Sequence, residues 1–338
     1  MTRAAPRLAA LLAEYFAGDL PVRLRAWDGS EAGPKTAPVV VLRSPRALRR
    51  LLWQPGELGL AQAYIAGDLD VEGDLAEGLS RVWRSVREHG TAPTAPGPRQ
   101  LARMALTALR LGALGPRPPA PGAPQARLRG TPHSTARDRA AIVADRVQEL
   151  GLSELVEVEL RHYRYLTKDG YDAVCAIEMG EHVGDAAYPG FVARLHALVR
   201  PGGRVLIQQM SRGAAAPGGG AFIESYIAPD MHMRPLGETV GLLEAGGLEV
   251  RSVESLREHY ARTIAAWHQT LETRWKEFVA LEGEPTARVW RLYPAGAGLA
   301  FTERRMGVDQ ILAVRTAPDG EAVMPTTPHD WCAREARQ

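Results

Sequence analysis

At 338 residues, with 45% hydrophobic and 24% charged positions, the chain has ordinary globular composition and is long enough for one large and one small domain. Its formal net charge of +2 favours no partner class through the field of the whole molecule. Cys175 and Cys332 make no disulfide framework and have no metal spacing around them, so a reducing cytoplasm and no metal site are expected. No run of about 18 apolar residues exists, which excludes a transmembrane helix.

Near the start, Arg3 and Arg7 flank Leu8–Leu12 and Glu14 interrupts the apolar run, a pattern that reads as a surface helix rather than a signal peptide. Residues 1–90 read as a small mixed domain. Val39–Leu42 is a short strand, and Ser44-Pro45 opens a helix to about Trp53, with Ser44 as its cap. Tyr64, Ile65, Leu69 and Val71 follow, punctuated by Gly67 and Gly73.

Residues 91–136 form a Pro/Arg-rich linker. Pro93, Pro96, Pro116, Pro118, Pro119 and Pro121 forbid regular structure at its ends, while Leu101, Ala105, Ala108, Leu109 and Leu111 recur at helical spacing between them. Eight arginines and one acid, Asp138, lie between Arg99 and Arg139. Such a charge run suits anionic phospholipid or nucleic acid, or is a solvated linker; no nucleic-acid partner is expected. The helix suits a membrane surface or docking on its own protein.

Residues 137–318 alternate helix and strand. Helices are expected at Asp138–Leu150 (closed by Gly151), Phe191–Val199, Thr239–Ala245, Ala261–Leu281 and Pro285–Glu303. Strands are expected at Val156–Tyr163, Ala173–Ile177, Val205–Met210, Val250–Val253 and Val308–Val314. That alternation predicts an α/β fold: a mostly parallel sheet with helices on both faces. Residues 319–338 read as a C-terminal tail.

Three stretches, in order, carry a resemblance. They are Glu57-Leu58-Gly59-Leu60 with Ala63-Tyr64-Ile65-Ala66-Gly67-Asp68; Tyr171-Asp172-Ala173-Val174 with Met179-Gly180-Glu181-His182-Val183-Gly184; and His259-Tyr260-Ala261-Arg262-Thr263 with Val289-Trp290-Arg291-Leu292-Tyr293. Together they resemble the cyclopropane-fatty-acyl-phospholipid and mycolic acid cyclopropane synthases. The resemblance implies a class I, Rossmann-like methyltransferase sheet of seven strands and a small N-terminal lipid-associated domain. It also implies methyl or methylene transfer from S-adenosylmethionine to the double bond of unsaturated phospholipid acyl chains, at the cytoplasmic membrane surface. Methylating an alkene leaves a carbocation, so such a site needs nearby negative charge, a base and a pocket that excludes water.

In the cyclopropane-forming members of this family the base is a bound bicarbonate. The mapping places Glu181 as the carboxylate at the bicarbonate site and Tyr260 as the active-site tyrosine, whose phenol can bond the base. Those members carry a histidine after the buried strand. Here the stretch is Val205-Leu206-Ile207-Gln208-Gln209-Met210-Ser211, so Gln208 offers an amide that can donate to an anion but cannot shuttle a proton. The Gln-Gln-Met-Ser pattern is similar to the actinobacterial methylating, tuberculostearic-type branch. Gly218–Ile227 is expected as a flexible loop over the acyl pocket, and His182 as structural.

One part of the pattern is missing. No apolar strand leads into an Asp-x-Gly-x-Gly-type turn, the cradle that lets a backbone approach the donor. Ala136–Ile142 resembles the family before its donor segment and Ala144–Leu152 resembles the helix after the second strand; the two are fused near Ile142-Val143. About 70 residues, one domain-sized piece of sheet, are expected to be absent there, together with the first two strands. The family's Asp-Tyr-Arg-Asp motif reads His162-Tyr163-Arg164-Tyr165, leaving His162 and Tyr163 as the remaining candidates for donor contact. Each charge-assisted hydrogen bond lost costs about 1.5–3 kcal/mol, so weak donor binding is expected and a poorly formed sheet around Val156–Val174. A non-catalytic lipid- or partner-binding role is the alternative reading; oligomeric state is open.

Overall fold

The computed structural model describes residues 3–13, 20–88, 98–121, 132–214, 216 and 219–331. The proline-rich stretches at 91–97 and 122–131, Gly218 and Cys332 lie outside the described residues. The fold is mixed α/β, with two sheets, and its contacts gather into two units.

The first unit combines Met1–Ala123, Gly220–Ile227 and Ala261–Thr302. Its sheet has the order β2-β1-β3-β4, from β1 (Arg23–Arg25), β2 (Glu31–Ala32), β3 (Val39–Leu42) and β4 (Leu69–Glu72). β1 and β3 are parallel; the other pairs are antiparallel. Leu24, Leu42, Ala47, Ala63, Tyr64 and Leu69 form its core. Helix Glu57–Ile65 is buried on much of its surface, which explains its small residues. A Cβ on Gly59 would lie 1.8 Å from the Gln54 carbonyl oxygen, a contact no larger residue allows. Two of the resemblance stretches meet here: Arg291 donates to the Tyr64 hydroxyl at 3.4 Å, and beside them Arg288 donates to the Tyr64 carbonyl at 3.1 Å.

The second unit combines Pro124–Gly219, Ala228–Tyr260 and Glu303–Gln338. Its sheet runs β5-β6-β9-β8, from β5 (Tyr171–Ile177), β6 (Val199–Arg212), β8 (Glu249–Ser255) and β9 (Met306–Val314); two-residue β7 (Arg234–Pro235) also pairs with β6. β5 and β6 are parallel neighbours joined through helix Tyr188–Leu198, a βαβ unit. That helix and Leu236–Ala245 bury Phe191, Val192, Leu195 and Leu243 against Val205, Ile207, Ile311 and Ala313. The alternate positions Leu206, Gln208, Met210, Gln310 and Leu312, on the opposite face, are only half-buried.

Several expectations need correction. The sheet is not mostly parallel: β9 inserts between β6 and β8 and runs antiparallel to both. Val156–Tyr163 is no strand. Its alternating valines and leucines suit one, but no neighbouring strand pairs with them, and the chain stays irregular until a 3₁₀ turn at Tyr163–Tyr165. Gly220–Tyr226 is helical rather than a loop, because Phe222 and Tyr226, one turn apart and stacked, are buried with Ala61, Ile65 and Val289. Helix 261–281 breaks at Arg274 into Arg257–Thr273 and Trp275–Glu282.

The helix expected at Asp138 begins earlier, at Pro132, and ends at Glu149; Gly151, at φ +67°, closes it. It covers nothing. From residue 137 to 175 no described side chain is buried, and Ala176 is the first that is. Leu155 is 82% exposed and Ile142 67%. β5 is the outer strand of its sheet, and among the described residues no strand pairs with its other side. Hydrogen exchange should therefore divide this unit, with amides of 137–170 exchanging rapidly and those of β6 and β9 the slowest. Equal protection in both regions would contradict the open edge.

Candidate active site

β5 ends at Ile177, paired in register with Gln208 on β6, and the Glu178 amide still donates to the Gln208 carbonyl at 2.8 Å. Glu178 then takes φ +50°, an uncommon backbone conformation for a side chain of its size, and the chain turns sharply away. On the other side of β6, Gln310 of β9 lies opposite Gln208. Tyr260 comes from the first turn of helix Arg257–Thr273.

These elements place three side chains in a triangle. The Tyr260 hydroxyl donates to Glu178 Oε1 at 2.7 Å, and Gln208 Nε2 donates to the same oxygen at 3.1 Å and lies 3.0 Å from the Tyr260 hydroxyl. Gln310 Nε2 donates to Gln208 Oε1 at 2.7 Å, which fixes the Gln208 amide with its nitrogen toward Glu178. Burial, and then the neighbouring Glu178, push the Tyr260 phenol up to about 12, so it stays a donor.

Glu181 follows on the short turn Gly180–His182 and is 1% exposed. Its Oε1 accepts from the Met210 amide at 3.3 Å, whereas Oε2 has no hydrogen-bond partner. Burial first, and the adjacent Glu178 carboxyl with it, raise Glu181 to about 7. The turn is held from below. A Cβ on Gly180 would lie 1.8 Å from Gln209 Oε1, so only glycine lets this backbone approach β6. Gln209 accepts from the Tyr188 hydroxyl at 2.8 Å and donates to Thr239 at 3.3 Å. Buried Arg234 donates to the Val183 carbonyl at 2.6 Å and sits 4.1 Å from the Tyr188 ring centre.

Of the residues expected from the sequence, Gln208 and Tyr260 come together, and Glu181 stands three positions along from the acid that joins them. Glu178 and Gln310 were missed. Glu178 directly precedes the Met179-Gly180-Glu181 stretch at a strand end, a signal that was available; Gln310, inside an apolar strand, gave none. His182 pairs at the surface with Asp230, at 3.1 Å. His162 and Tyr163 lie elsewhere. The His162 ring stacks on Tyr163 at 4.7 Å, and Tyr163 packs edge-on against Phe191 at 5.4 Å, among the side chains of the opposite sheet face.

The described residues do not form a cradle for S-adenosylmethionine. No strand pairs with the outer side of β5, where the glycine turn would have to stand. Gly296 and Gly298 lie inside helix Glu284–Thr302. Gly219-Gly220 does open a helix, but a Cβ on Gly220 would lie 2.7 Å from Glu57 Oε2, so a carboxylate already occupies that end. Among the described residues no group of three or more His, Cys, Asp or Glu could hold a metal ion.

Comparison with known proteins agrees with the retained half of this picture. The family model for mycolic acid cyclopropane synthetase matches residues 131–311, more than half of the chain. A probable fatty acid methyltransferase of Mycobacterium tuberculosis is 28% identical over 405 aligned positions, covering 92% of this chain and 95% of that protein. A probable fatty acid methyltransferase of Pseudomonas putida is 28% identical over 380 positions, covering 92% and 96%. At 92% coverage this chain supplies about 311 residues, so about 94 and about 69 positions of those two alignments face a gap here. A tuberculostearic acid methyltransferase of M. tuberculosis is 33% identical over 57% of this chain and 46% of its own length. Among solved structures, the cyclopropane synthase MmaA2 of M. tuberculosis shows 22% identity and a TM-score of 0.44, over 46% of this chain and 59% of its own. A mycolic acid cyclopropane synthase bound to S-adenosylhomocysteine shows 22% and 0.44, over 50% and 65%. The chain thus spans less than two thirds of these two structures. It belongs to the mycolic acid cyclopropane synthetase family of S-adenosylmethionine-dependent methyltransferases.

Proposed function

We propose that this chain serves the acyl side of lipid methylation: it takes the unsaturated acyl chain of a phospholipid and presents the polar groups that a methylated, cationic acyl carbon requires. The observation that carries this reading is the triangle of Glu178, Tyr260 and Gln208 at the end of β5 and β6. A preorganised carboxylate in a partly dry site stabilises developing positive charge far better than water does. The relatives named as fatty acid and tuberculostearic acid methyltransferases support a fatty acyl substrate.

In this family S-adenosylmethionine supplies the methyl group. The chain's own residues hold an acyl-side carboxylate, orient it through Gln208 and Gln310, and keep a proton available on Tyr260. A second reading, a non-catalytic lipid- or partner-binding protein, rests on the open edge of β5 and the unburied stretch from 137 to 175.

A cytoplasmic, membrane-peripheral site of action is part of the proposal. Trp53 and Leu114 are about half exposed, and Leu109 on helix Pro98–Arg110 is 61% exposed. Arg49 donates to the Ala113 and Leu114 carbonyls, each at 2.9 Å, and the Trp53 indole donates to the Gly115 carbonyl at 3.0 Å. An exposed tryptophan and leucines beside arginines suit an anionic lipid surface.

Three outcomes are expected. Calorimetric titration with S-adenosylmethionine should give no saturable binding at millimolar donor, while oleoyl phospholipid vesicles still bind; micromolar donor affinity would sink the missing-cradle account and restore a complete catalyst. Replacing Trp53 and Leu109 together by alanine should weaken binding to anionic vesicles by about tenfold, the equivalent of about 1.4 kcal/mol; unchanged binding would remove this patch from the membrane reading. Glu181 provides a pH test. Its folded-state value, about 7, lies above the ordinary 4.5, so the folded protein holds the proton more tightly than the unfolded chain. Stability should therefore fall as pH rises from about 4.5 to about 7 and then level off. At about 1.4 kcal/mol per unit of displacement, the loss is bounded at about 3 kcal/mol. Urea midpoints across that range should show the fall in the wild type and lack it in Glu181→Gln.

A further inference from the structure

The resemblance to cyclopropane synthases implies a free bicarbonate as the site's base. A bicarbonate needs hydrogen-bond donors, and the two side-chain donors at this place are the Tyr260 hydroxyl and Gln208 Nε2. Both already point at one atom, Glu178 Oε1, at 2.7 and 3.1 Å. The other end of the Gln208 amide is held by Gln310, so it cannot turn to offer its nitrogen elsewhere without losing that bond. Glu178 is itself fixed by its backbone amide on the Gln208 carbonyl and by a left-handed φ of +50° that directs the side chain back over β6.

Charge argues the same way. Glu181 stands beside Glu178, buried, with Oε2 lacking any hydrogen-bond partner. The buried cation of this turn, Arg234, spends its terminal nitrogens on the Gly180 and Val183 carbonyls and on Asp185, while its Nε has no hydrogen-bond partner. A bicarbonate would add negative charge beside a carboxyl pair and would find the Tyr260 hydroxyl and Gln208 Nε2 already engaged by Glu178, so it does not fit the residues present.

We propose that Glu178 stands in for the bicarbonate at this site: its carboxylate lies where that anion would have to bind, and the protein takes up none. This rests on the acyl-side reading above.

The test uses the full-length protein alone, with ¹³C-labelled bicarbonate titrated by NMR at pH 8. Neither donor nor lipid is present, so failure here leaves the acyl-side reading standing. Wild type should show no saturable binding. Glu178→Gly removes the carboxylate at a position whose φ suits glycine, freeing both donors; it should bind bicarbonate saturably, at least about tenfold more strongly than wild type. Adding Tyr260→Phe should abolish that gain. Glu178→Ser serves in the same way should the glycine variant not fold. Saturable wild-type binding lost in Tyr260→Phe would overturn the proposal. So would a folded variant that binds no better than wild type, since the carboxylate would then not be what occupies the place.

Discussion

Strand β6 is hydrogen-bonded along both edges, to β5 and β7 on one side and to β9 on the other. That double pairing fixes Gln208 between Ile177 and Gln310, and it ties the Glu178 amide to the Gln208 carbonyl. Side chains alternate faces along a strand, so a register slip of one residue would turn Gln208 toward Phe191 and Val192 and expose Gln209 in its place. The Glu178–Tyr260–Gln208 triangle therefore has the rigidity of the sheet beneath it. Its geometry owes nothing to the far side of β5.

The far side of β5 is different. An α/β sheet buries both faces and every interior edge because its crossover helices cover them. Here β6 and β9 are covered on one face by Tyr188–Leu198 and Leu236–Ala245 and only half covered on the other. Ile142, Val143, Leu150 and Leu155 have nothing to pack on.

Much of this was legible in the sequence, and the parts that were not share a cause. Val205–Met210 reads as a buried strand because its residues are apolar and β-branched, and the absent glycine turn is visible as a plain absence. Gln208 could be placed because it stands where the resembling cyclopropane synthases carry a histidine. Val156, Val158 and Leu160 alternate correctly for a strand, yet pairing is a property of two segments, and the second is not in the chain. Phe222 and Tyr226 were hidden behind the glycines that precede them. Glu178 depends on a positive φ and on a tyrosine 82 positions away, neither of which local pattern records.

Stability alone does not account for the cluster. A buried carboxyl oxygen without a hydrogen-bond partner costs about 1–3 kcal/mol, and a non-glycine residue held in the left-handed region costs about 1–3 kcal/mol more. Glu181 Oε2 and Glu178 carry these two penalties within four residues of each other. Glycine at 178 would relieve the second without changing the course of the backbone. Such strain persists only where the surrounding structure over-determines it, and here Arg234 below the turn, Gly180 against Gln209 and the β5–β6 register all serve to do so.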